Sequence, residues 1–360
     1  MVSAFDSYFT SLKDKRIAVL GLGVSNRPLV RLLLEFGCNV TGCDLTPREK
    51  LDTEVLELEK QGCKLSLGDG YLEGITADVV FRTPGMHPNN PALVILRENG
   101  AEITSEMEVF FEVCPCRILA VTGSDGKTTT TTLISEMLKA QGKNVWLGGN
   151  IGTPLTEFCD LSSEGIAVAE ISSFQMETLQ SICPHIAIVL NVSEDHLNRH
   201  YTMENYIFLK AKLLKNMSET EFAILNYDDP IVRGFADKTK AKVLYFSMKE
   251  RVRGAYYENG VLYCGKEKIV SVEELPMEGA HNIQNALAVI IAAKLAGVKT
   301  ETITTALRAF KGVHHRIEKV AEINGVEYIN DSKGTNPDAS IKAVQAMDRK
   351  TVLIGGGYDK

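Results

Sequence analysis

The segment Gly123-Ser124-Asp125-Gly126-Lys127-Thr128 combines the residue types of a phosphate-binding loop. It follows the apolar run 118–121 and precedes a helical pattern, which is the context that such a loop requires. Glycines let backbone N–H groups point at phosphate, Lys127 offsets phosphate charge, and Thr128 can bind Mg²⁺. Because the sequence has no guanine-specifying Asn-Lys-x-Asp segment, the motif predicts ATP binding rather than GTP binding. The alternative is an ordinary glycine turn before a helix.

Polar side chains follow two further predicted strands. The apolar run 165–169 leads into Glu170, and the run 186–190 leads into a segment that contains Asp195 and His196. In a parallel sheet such positions converge on the crevice where ligands bind. Glu170 suits Mg²⁺, and His196 suits a second metal ion or a polarising role. A structural role for His196 is the alternative.

The turn Gly21-Leu22-Gly23-Val24-Ser25-Asn26 follows a strand and resembles a dinucleotide-type turn without its third glycine. Its backbone N–H groups and the following helix N-terminus could face a diphosphate. Asp44 ends the next predicted strand, where a carboxylate could contact a ribose or a base. A strand-end aspartate is also common in turns, so both interpretations stay open.

Two polar pairs lie at predicted helix starts. The hydroxyl and amide groups of Ser172 and Gln175 could bind a sugar substrate, and the alternative is that Ser172 or Ser173 caps the helix. Asn282 and Asn285 lie three residues apart on one helix face, where their amides could contact adenine or act as caps.

A third group of polar residues lies near the end of the sequence. Arg316 could reach ATP phosphates from a linker, or could belong to a plain basic linker. Asp331, Lys333 and Thr335 follow a predicted strand. A carboxylate, an ammonium group and a hydroxyl together suit a nucleotide ribose and an amino-acid substrate.

Strand and helix patterns alternate along the sequence, which predicts an α/β fold with parallel sheets. We expect a Rossmann-like domain at 1–105, a larger phosphate-loop domain at 106–311 and a Rossmann-like domain that starts at 312. Because 312–360 is shorter than a usual domain, we expect this third domain to be incomplete and the sequence to be truncated.

Within the third domain, Asn324-Gly325 predicts a hairpin turn, Pro337 predicts a helix start, and 351–354 predicts a strand.

Composition limits the classes of function. The net charge of −7 argues against nucleic-acid binding, and the sequence shows neither a signal peptide nor an apolar run long enough to span a bilayer. We therefore expect a cytoplasmic protein with no membrane partner, and we expect a monomer. The eight cysteines form no CxxC pair and are expected to be reduced core thiols rather than a disulfide or zinc framework.

Six motifs in sequence order resemble those of the Mur ligase family. Its members are ATP-dependent amide ligases of peptidoglycan synthesis. The motifs are Thr122-Gly-Ser-Asp-Gly-Lys-Thr128, Glu170-Ile-Ser-Ser-Phe-Gln175, Asn191-Val-Ser-Glu-Asp-His196, His281-Asn-Ile-Gln-Asn285, His315-Arg316 and Asn330-Asp-Ser-Lys-Gly-Thr-Asn336. The resemblance implies three domains. The first domain looks most like that of the members that join UDP-N-acetylmuramoyl-L-alanine to D-glutamate through an acyl phosphate.

The resemblance also implies a role for individual residues. Lys127, Glu170, His196 and Lys210 would be catalytic, and Thr128, Glu170, His196 and Lys210 would serve two Mg²⁺ ions. Lys210 would be carbamylated, with Lys212 as the nearby competitor. ATP would contact Gly123, Ser124, Asp125, Gly126, Lys127, Thr128, Thr129, Asn282, Asn285, Arg316 and Asp331.

The substrate residues follow from the same resemblance. The uridine nucleotide would contact Gly23, Val24, Ser25, Asn26, Asp44, Thr83, Pro84, Gly85, Asn150, Ser172 and Gln175. D-Glutamate would contact Asp195, His196, Lys333, Thr335 and Lys360.

Two other functions remain open at this point. A sibling ligase of the same family, or a folate-type polyglutamate ligase, would share the phosphate loop and the later motifs, but it would differ in the first domain. A nucleotide-binding protein without ligase activity would result if the third domain were incomplete.

Overall fold

The computed structural model describes residues 3–151, 154, 163–277, 279–334 and 337–357. The helices are α1 (Ala4–Ser11), α2 (Asn26–Glu35), α3 (Thr53–Lys60), α4 (Pro91–Glu98), α5 (Glu106–Val113), α6 (Lys127–Ala140), α7 (Ser173–Met176), α8 (Leu197–His200), α9 (Met203–Ala211), α10 (Pro230–Arg233), α11 (Ala280–Leu295), α12 (Thr300–Ala309) and α13 (Pro337–Gln345). The strands are β1 (Arg16–Leu20), β2 (Asn39–Asp44), β3 (Lys64–Leu67), β4 (Val79–Arg82), β5 (Glu102–Thr104), β6 (Arg117–Thr122), β7 (Val145–Gly149), β8 (Ile166–Glu170), β9 (Ile186–Val189), β10 (Phe222–Asn226), β11 (Lys242–Ser247), β12 (Gly254–Glu258), β13 (Val261–Cys264), β14 (Glu267–Ser271), β15 (Glu318–Ile323) and β16 (Val326–Asn330).

The chain forms two compact units. The first comprises Met1–Arg117, Trp146–Ala167 and Ile171–Cys183, and the second comprises Ile118–Val145, Val168–Glu170 and Pro184–Lys360. The expected α/β class with parallel sheets is confirmed. The boundaries at 105 and 311 stay predictions.

A parallel sheet in the order β3-β2-β1-β4-β5 forms the centre of the first unit. Side chains alternate between the two faces of a strand. Accordingly, Ile17 and Val19 of β1 join one buried cluster, whereas Ala18 and Leu20 join another. Helices cover both faces, and the ends of β1, β2 and β4 carry the predicted nucleotide turn, Asp44 and the Thr83 loop.

The second unit contains strands in the order β14-β13-β12-β11-β10-β9-β6-β8. Parallel pairing joins β6 to β9, β9 to β10, β10 to β11 and β11 to β12. Strands β12, β13 and β14 form an antiparallel meander. All of β9 and nearly all of β6 are buried, as expected for strands covered on both faces. Thr122 pairs with Val189, so the loops that follow β6 and β9 leave the sheet side by side.

The hairpin predicted at Asn324-Gly325 is confirmed, since β15 and β16 pair antiparallel around it. Both turn residues have positive φ angles, 53° and 77°, as a type I′ turn requires. The helix predicted from Pro337 is confirmed as α13.

The strand predicted at 351–354 is wrong. Val352 is 90% and Ile354 93% exposed there, and a strand needs a neighbouring strand for its backbone hydrogen bonds.

Across the described ranges, we find no helix that is both long and apolar enough to cross a bilayer.

Candidate active site

The phosphate-loop candidate connects β6 to α6 and is fixed from the end of β9. The Ser124 N–H donates to Asn191 O (3.0 Å), and the Asp125 N–H donates to Asn191 Oδ1 (2.8 Å). The Asn191 amide donates in return to Asp125 O (3.2 Å). These three hydrogen bonds fix the backbone of the loop. Sequence reasoning noted Asn191 only as part of a motif, because its partners lie in a distant segment.

The Ser124 side chain fixes the loop a second time. Its Oγ donates to Ser193 O and accepts from the Ser193 N–H, both at 3.0 Å, and it lies 3.0 Å from the Tyr206 hydroxyl. Ser124 is buried, so its hydroxyl anchors the loop internally. Tyr206 was missed by sequence reasoning. The available signal was its place one helical turn before Lys210 on α9.

Two lysines converge on the carbonyl oxygen of Gly123. Lys127 Nζ donates to Gly123 O at 2.9 Å and to Ser124 O at 2.8 Å. Lys210 Nζ donates to Gly123 O at 2.8 Å and lies 4.4 Å from the centre of the Tyr206 ring. The loop therefore holds two amines in one small region.

Burial controls the charge of both amines. Lys210 is only 1% exposed, and desolvation together with the nearby charge of Lys127 lowers its pKa well below the usual value. Desolvation also lowers the pKa of Lys127, while Glu170, Asp125 and Asp195 act in the opposite direction. Because the pKa of Lys210 is lowered further than that of Lys127, Lys210 is the amine that loses its proton more easily.

Oxygen donors suitable for a hard cation lie beside the loop. Thr128 Oγ1 donates to Glu170 Oε2 at 2.9 Å, and Glu170 is the last residue of the buried strand β8. No cluster of three or more His, Cys, Asp or Glu side chains within the described ranges could hold a metal ion.

Asp195 and His196 lie together after β9. His196 has a left-handed backbone (φ 55°), and its Nε2 lies 3.4 Å from Asp195 Oδ2. The charge of Asp195 acts on the pKa of both Lys127 and Lys210, which places this carboxylate in the same electrostatic environment as the loop. The structure thus brings the predicted Asp195-His196 pair to the phosphate-loop region.

A cavity lies beside the loop, and most of the side chains that line it are polar. Its lining residues are Asp125, Gly126, Thr129, Asn191, His281, Gln284, Asn285, Arg316, Ile317, Asp331, Ala339 and Ala343. Of the predicted ATP contacts outside the loop, Asn285, Arg316 and Asp331 line it, whereas Asn282 is not among its lining residues. Arg316 Nη2 lies 3.8 Å from Asp125 Oδ1, and Asp331 Oδ1 accepts from the Ile317 N–H at 3.0 Å.

Gly126 joins the loop to this cavity. It has φ +82°, a conformation that glycine adopts without strain, and a Cβ added there would collide with Asn285 Oδ1. Asn285 itself is buried on α11. The glycine is therefore required by both the backbone and the packing.

The predicted nucleotide turn of the first unit is braced by Asp44 and Asn26. Asp44 accepts from the N–H groups of Leu22 (2.7 Å) and Thr46 (2.8 Å). Although burial opposes ionisation, these backbone hydrogen bonds lower the pKa of Asp44 below its usual value. Asn26 is buried and donates to Leu20 O and Gly21 O. The turn-residue interpretation of Asp44 is thus observed, and ligand contacts by both residues stay predictions.

The loop after β4 packs directly against this turn. A Cβ on Gly21 would lie 2.8 Å from Thr83 Cγ2, so the two predicted substrate loops touch. In the same unit, Ser172 caps α7, as the capping alternative predicted, and Gln175 completes a reciprocal capping box that was not predicted. Their contribution to a sugar site stays a prediction.

A buried ion pair that sequence reasoning missed connects these substrate segments. Arg82 is 1% exposed, and its Nη1 donates to Glu177 Oε2 at 3.1 Å and to Met86 O. Its Nη2 donates to Phe174 O at 3.2 Å. One side chain thereby ties the loop after β4 to α7. A strand-end arginine usually indicates exposure, so the sequence offered no signal for this pair.

The remaining predicted residues are spread out. Val24, Gly85 and Asn150 are exposed in the first unit. Lys333 is exposed in the second, where its N–H donates to His315 O at 3.1 Å. Thr335 and Lys360 lie outside the described residues.

Comparison with known proteins identifies relatives over the whole chain. Residues 121–293 match the model of the Mur ligase middle domain. The chain is 44% identical over 354 residues to a UDP-N-acetylmuramoylalanine–D-glutamate ligase of Caldanaerobacter subterraneus, covering 97% of this chain and 78% of the relative. It is 42% identical to the ligase of the same name from Ruminiclostridium cellulolyticum, covering 100% of this chain and 78% of that relative.

Solved structures agree on the fold. A murein peptide ligase from Psychrobacter arcticus superposes with a TM-score of 0.61 at 22% identity, covering 92% of this chain and 75% of that one. A UDP-N-acetylmuramate–alanine ligase from Thermotoga maritima gives a TM-score of 0.60 at 22% identity, with coverages of 92% and 77%. At 22% sequence identity, the similarity to these two structures shows only a shared fold.

Replacing Gly126 with alanine should weaken nucleotide binding. The substitution adds about 1–2 kcal/mol of left-handed backbone strain and drives a methyl group into Asn285. We expect ATP affinity, measured by calorimetry, to fall roughly tenfold or more, since roughly 1.4 kcal/mol corresponds to tenfold. Gly142→Ala is the matched control, because Gly142 has nearly the same φ, +79°, but open space at Cβ. Equal affinities in the two variants would contradict the role given to Asn285.

Arg82→Met should destabilise the first unit strongly. It leaves the Glu177 carboxylate buried without its guanidinium, a loss that typically costs about 3–5 kcal/mol. The measurement is urea unfolding. Arg16→Met is the control, because the Arg16–Asp78 pair is exposed to solvent and should contribute little to stability. The double variant Arg82→Met with Glu177→Gln should recover part of the loss, and no recovery would argue against the broken ion pair as the cause.

Proposed function

This chain belongs to the Mur ligase family, and we propose that it joins the L-alanyl carboxylate of UDP-N-acetylmuramoyl-L-alanine to the amine of D-glutamate while consuming ATP. The relatives that carry this name match nearly the full length of the chain, including the first domain that would distinguish a sibling ligase. The product is an intermediate of peptidoglycan synthesis. The observation that carries the residue-level proposal is the convergence of Lys127 and Lys210 on a phosphate loop bordered by Glu170.

ATP would bind across the loop and the adjoining cavity. The base and ribose would occupy the cavity lined by Asn285, Arg316 and Asp331, and the phosphates would face the N-terminus of α6. Lys127 donates to two loop carbonyls. A β- or γ-phosphate of ATP would be a stronger, charged acceptor for the same ammonium group. ATP binding would thus exchange internal hydrogen bonds for charge-assisted ones.

The Thr128–Glu170 pair fits a Mg²⁺ site, because a hydroxyl and a carboxylate are hard oxygen donors held 2.9 Å apart at the loop. A bound Mg²⁺ would neutralise phosphate charge and polarise the transferring group. His196 and Lys210 would serve a second ion. Asp195 would hold His196 in place through the observed 3.4 Å contact.

Lys210 is the residue we infer to be carbamylated. Carbamate formation requires a neutral amine to attack carbon dioxide, and burial together with Lys127 lowers the pKa of Lys210 in the required direction. The carbamate on Lys210 would be an anion. It would therefore attract the Lys127 ammonium group, whereas a charged Lys210 amine repels it. Lys212 is also buried, but Lys210 is the one that reaches the loop carbonyl.

The chemical step that we propose is transfer of the γ-phosphoryl group to the substrate carboxylate. The acyl phosphate is then attacked by the amine of D-glutamate, and phosphate leaves. Lys127 would hold the transferring phosphoryl group, which is the main requirement of a loose transition state. The uridine nucleotide would bind at the Gly21–Asn26 turn and the Thr83 loop, and D-glutamate would bind near His196, Lys333, Thr335 and Lys360.

Phosphate release tests the ligase assignment directly. With ATP and UDP-N-acetylmuramoyl-L-alanine present, D-glutamate but not L-glutamate should stimulate phosphate release, and mass spectrometry should detect the dipeptide product. Lys127→Ala should reduce the rate by at least about a hundredfold because transition-state charge loses its partner. Lys143→Ala, an exposed lysine beyond the other end of α6, is the matched control. Phosphate release at the same rate with and without the amino acid would refute the ligase proposal.

Lys210→Ala should abolish turnover, and short carboxylic acids such as formate or acetate should restore part of it by replacing the carbamate. The readout is phosphate release against acid concentration. Lys212→Ala tests the competitor, and the exposed Lys215→Ala is the control. Rescue confined to Lys210→Ala is the expected result. Rescue of Lys212→Ala instead would move the carbamate to that residue.

A further inference from the structure

Two cysteines in the first unit lie unusually close together. Cys114 and Cys116 have their sulfur atoms 3.2 Å apart, so each thiol is the hydrogen-bonding neighbour of the other. They lie in the short connection between α5 and β6, and Pro115 separates them. Neither residue has a role in the proposed ligase reaction.

The connecting backbone holds the pair in place. Cys114 has φ −64° and ψ 116°, the extended conformation favoured for a residue before proline, and the ring of Pro115 fixes the next φ. Because these angles are already restricted, bringing the two sulfur atoms together costs little conformational entropy. The approach needed is only from 3.2 Å to the covalent S–S distance of about 2.05 Å.

The two thiols differ in their access to solvent. Cys114 is partly exposed, whereas Cys116 is only 2% exposed. Hydrogen bonding from Cys114 lowers the pKa of the Cys116 thiol despite its burial, with a smaller contribution from the backbone of Ala167.

Buried cysteines elsewhere in the same unit behave oppositely. Burial raises the pKa of Cys43 to about 12 and that of Cys63 to about 11. Such thiols stay protonated and unreactive. Cys114 and Cys116 are therefore set apart from the ordinary core thiols that composition alone predicted for all eight cysteines.

The geometry points to Cys114 and Cys116 as a redox-active dithiol that closes to an intramolecular disulfide by exchange with small-molecule disulfides. The Cys114 thiolate attacks one sulfur atom of the disulfide R–S–S–R, forms a mixed disulfide and expels one thiolate. The Cys116 thiolate then attacks Cys114 Sγ and expels the second. The two leaving thiolates take up the two protons, so the protein is oxidised by two electrons and one disulfide is reduced to two thiols.

Mass spectrometry of one peptide tests this proposal. Cleavage after arginine and lysine yields residues 98–117, which contain Cys114 and Cys116 and no other cysteine. The full chain is equilibrated with oxidised and reduced glutathione and then alkylated. We expect this peptide to lose two hydrogen atoms while the peptides of Cys43 and Cys63 remain alkylated thiols. A peptide 98–117 that stays reduced, or that pairs with another cysteine, overturns the proposal.

Two serine variants test the order of the steps. Cys116→Ser should accumulate one glutathione on Cys114, because the resolving thiolate is gone. Cys114→Ser should be modified roughly tenfold or more slowly, because Cys116 is shielded from solvent. A glutathione adduct that persists in the unsubstituted protein would show that Cys116 does not resolve it, and this outcome also overturns the proposal. The readout needs no ligase activity, so the test is independent of the proposed function.

Discussion

The carbonyl oxygen of Gly123 is the point on which the active-site region depends, because it accepts hydrogen bonds from both Lys127 and Lys210. Two ammonium groups within reach of one oxygen repel each other, and burial removes the water that would screen them. This repulsion is relieved when one amine loses its charge or when an anion lies nearby, and the carboxylates of Asp125 and Asp195 already act in the second way on both lysines. The lowered pKa of Lys210 provides the first solution, and nucleotide phosphates or a carbamate would provide the second.

The loop can hold these groups because its shape is set by the neighbouring strand rather than by a ligand. Asn191 and Ser193, which follow β9, fix the backbone and the Ser124 side chain, and Tyr206 joins the same network from α9. Parallel pairing of β6 with β9 brings these segments together. A preformed loop does not have to be ordered when ATP binds, so less of the binding energy is lost to conformational entropy.

The sequence predicted the α/β class, the phosphate loop and the hairpin at Asn324-Gly325, because glycine, asparagine and apolar periodicity act locally. It did not predict the Arg82–Glu177 pair or the hydrogen bonds between Asn191 and the loop, since partners so far apart in the chain leave no local pattern. The strand expected at 351–354 failed for a related reason: an apolar run shows strand propensity but cannot show a pairing partner. Capping by Ser172 was predicted only as an alternative, because a cap and a substrate site use the same residue types.

Gly126 has a consequence that reaches beyond the loop. The space that a side chain would need at this position is already occupied by Asn285, which belongs to α11 and also lines the cavity beside the loop. One wall is therefore shared by the part of the site that would hold phosphate and the part that would hold the base. A change of side chain at Asn285 would therefore alter the cavity and the space around the phosphate loop together.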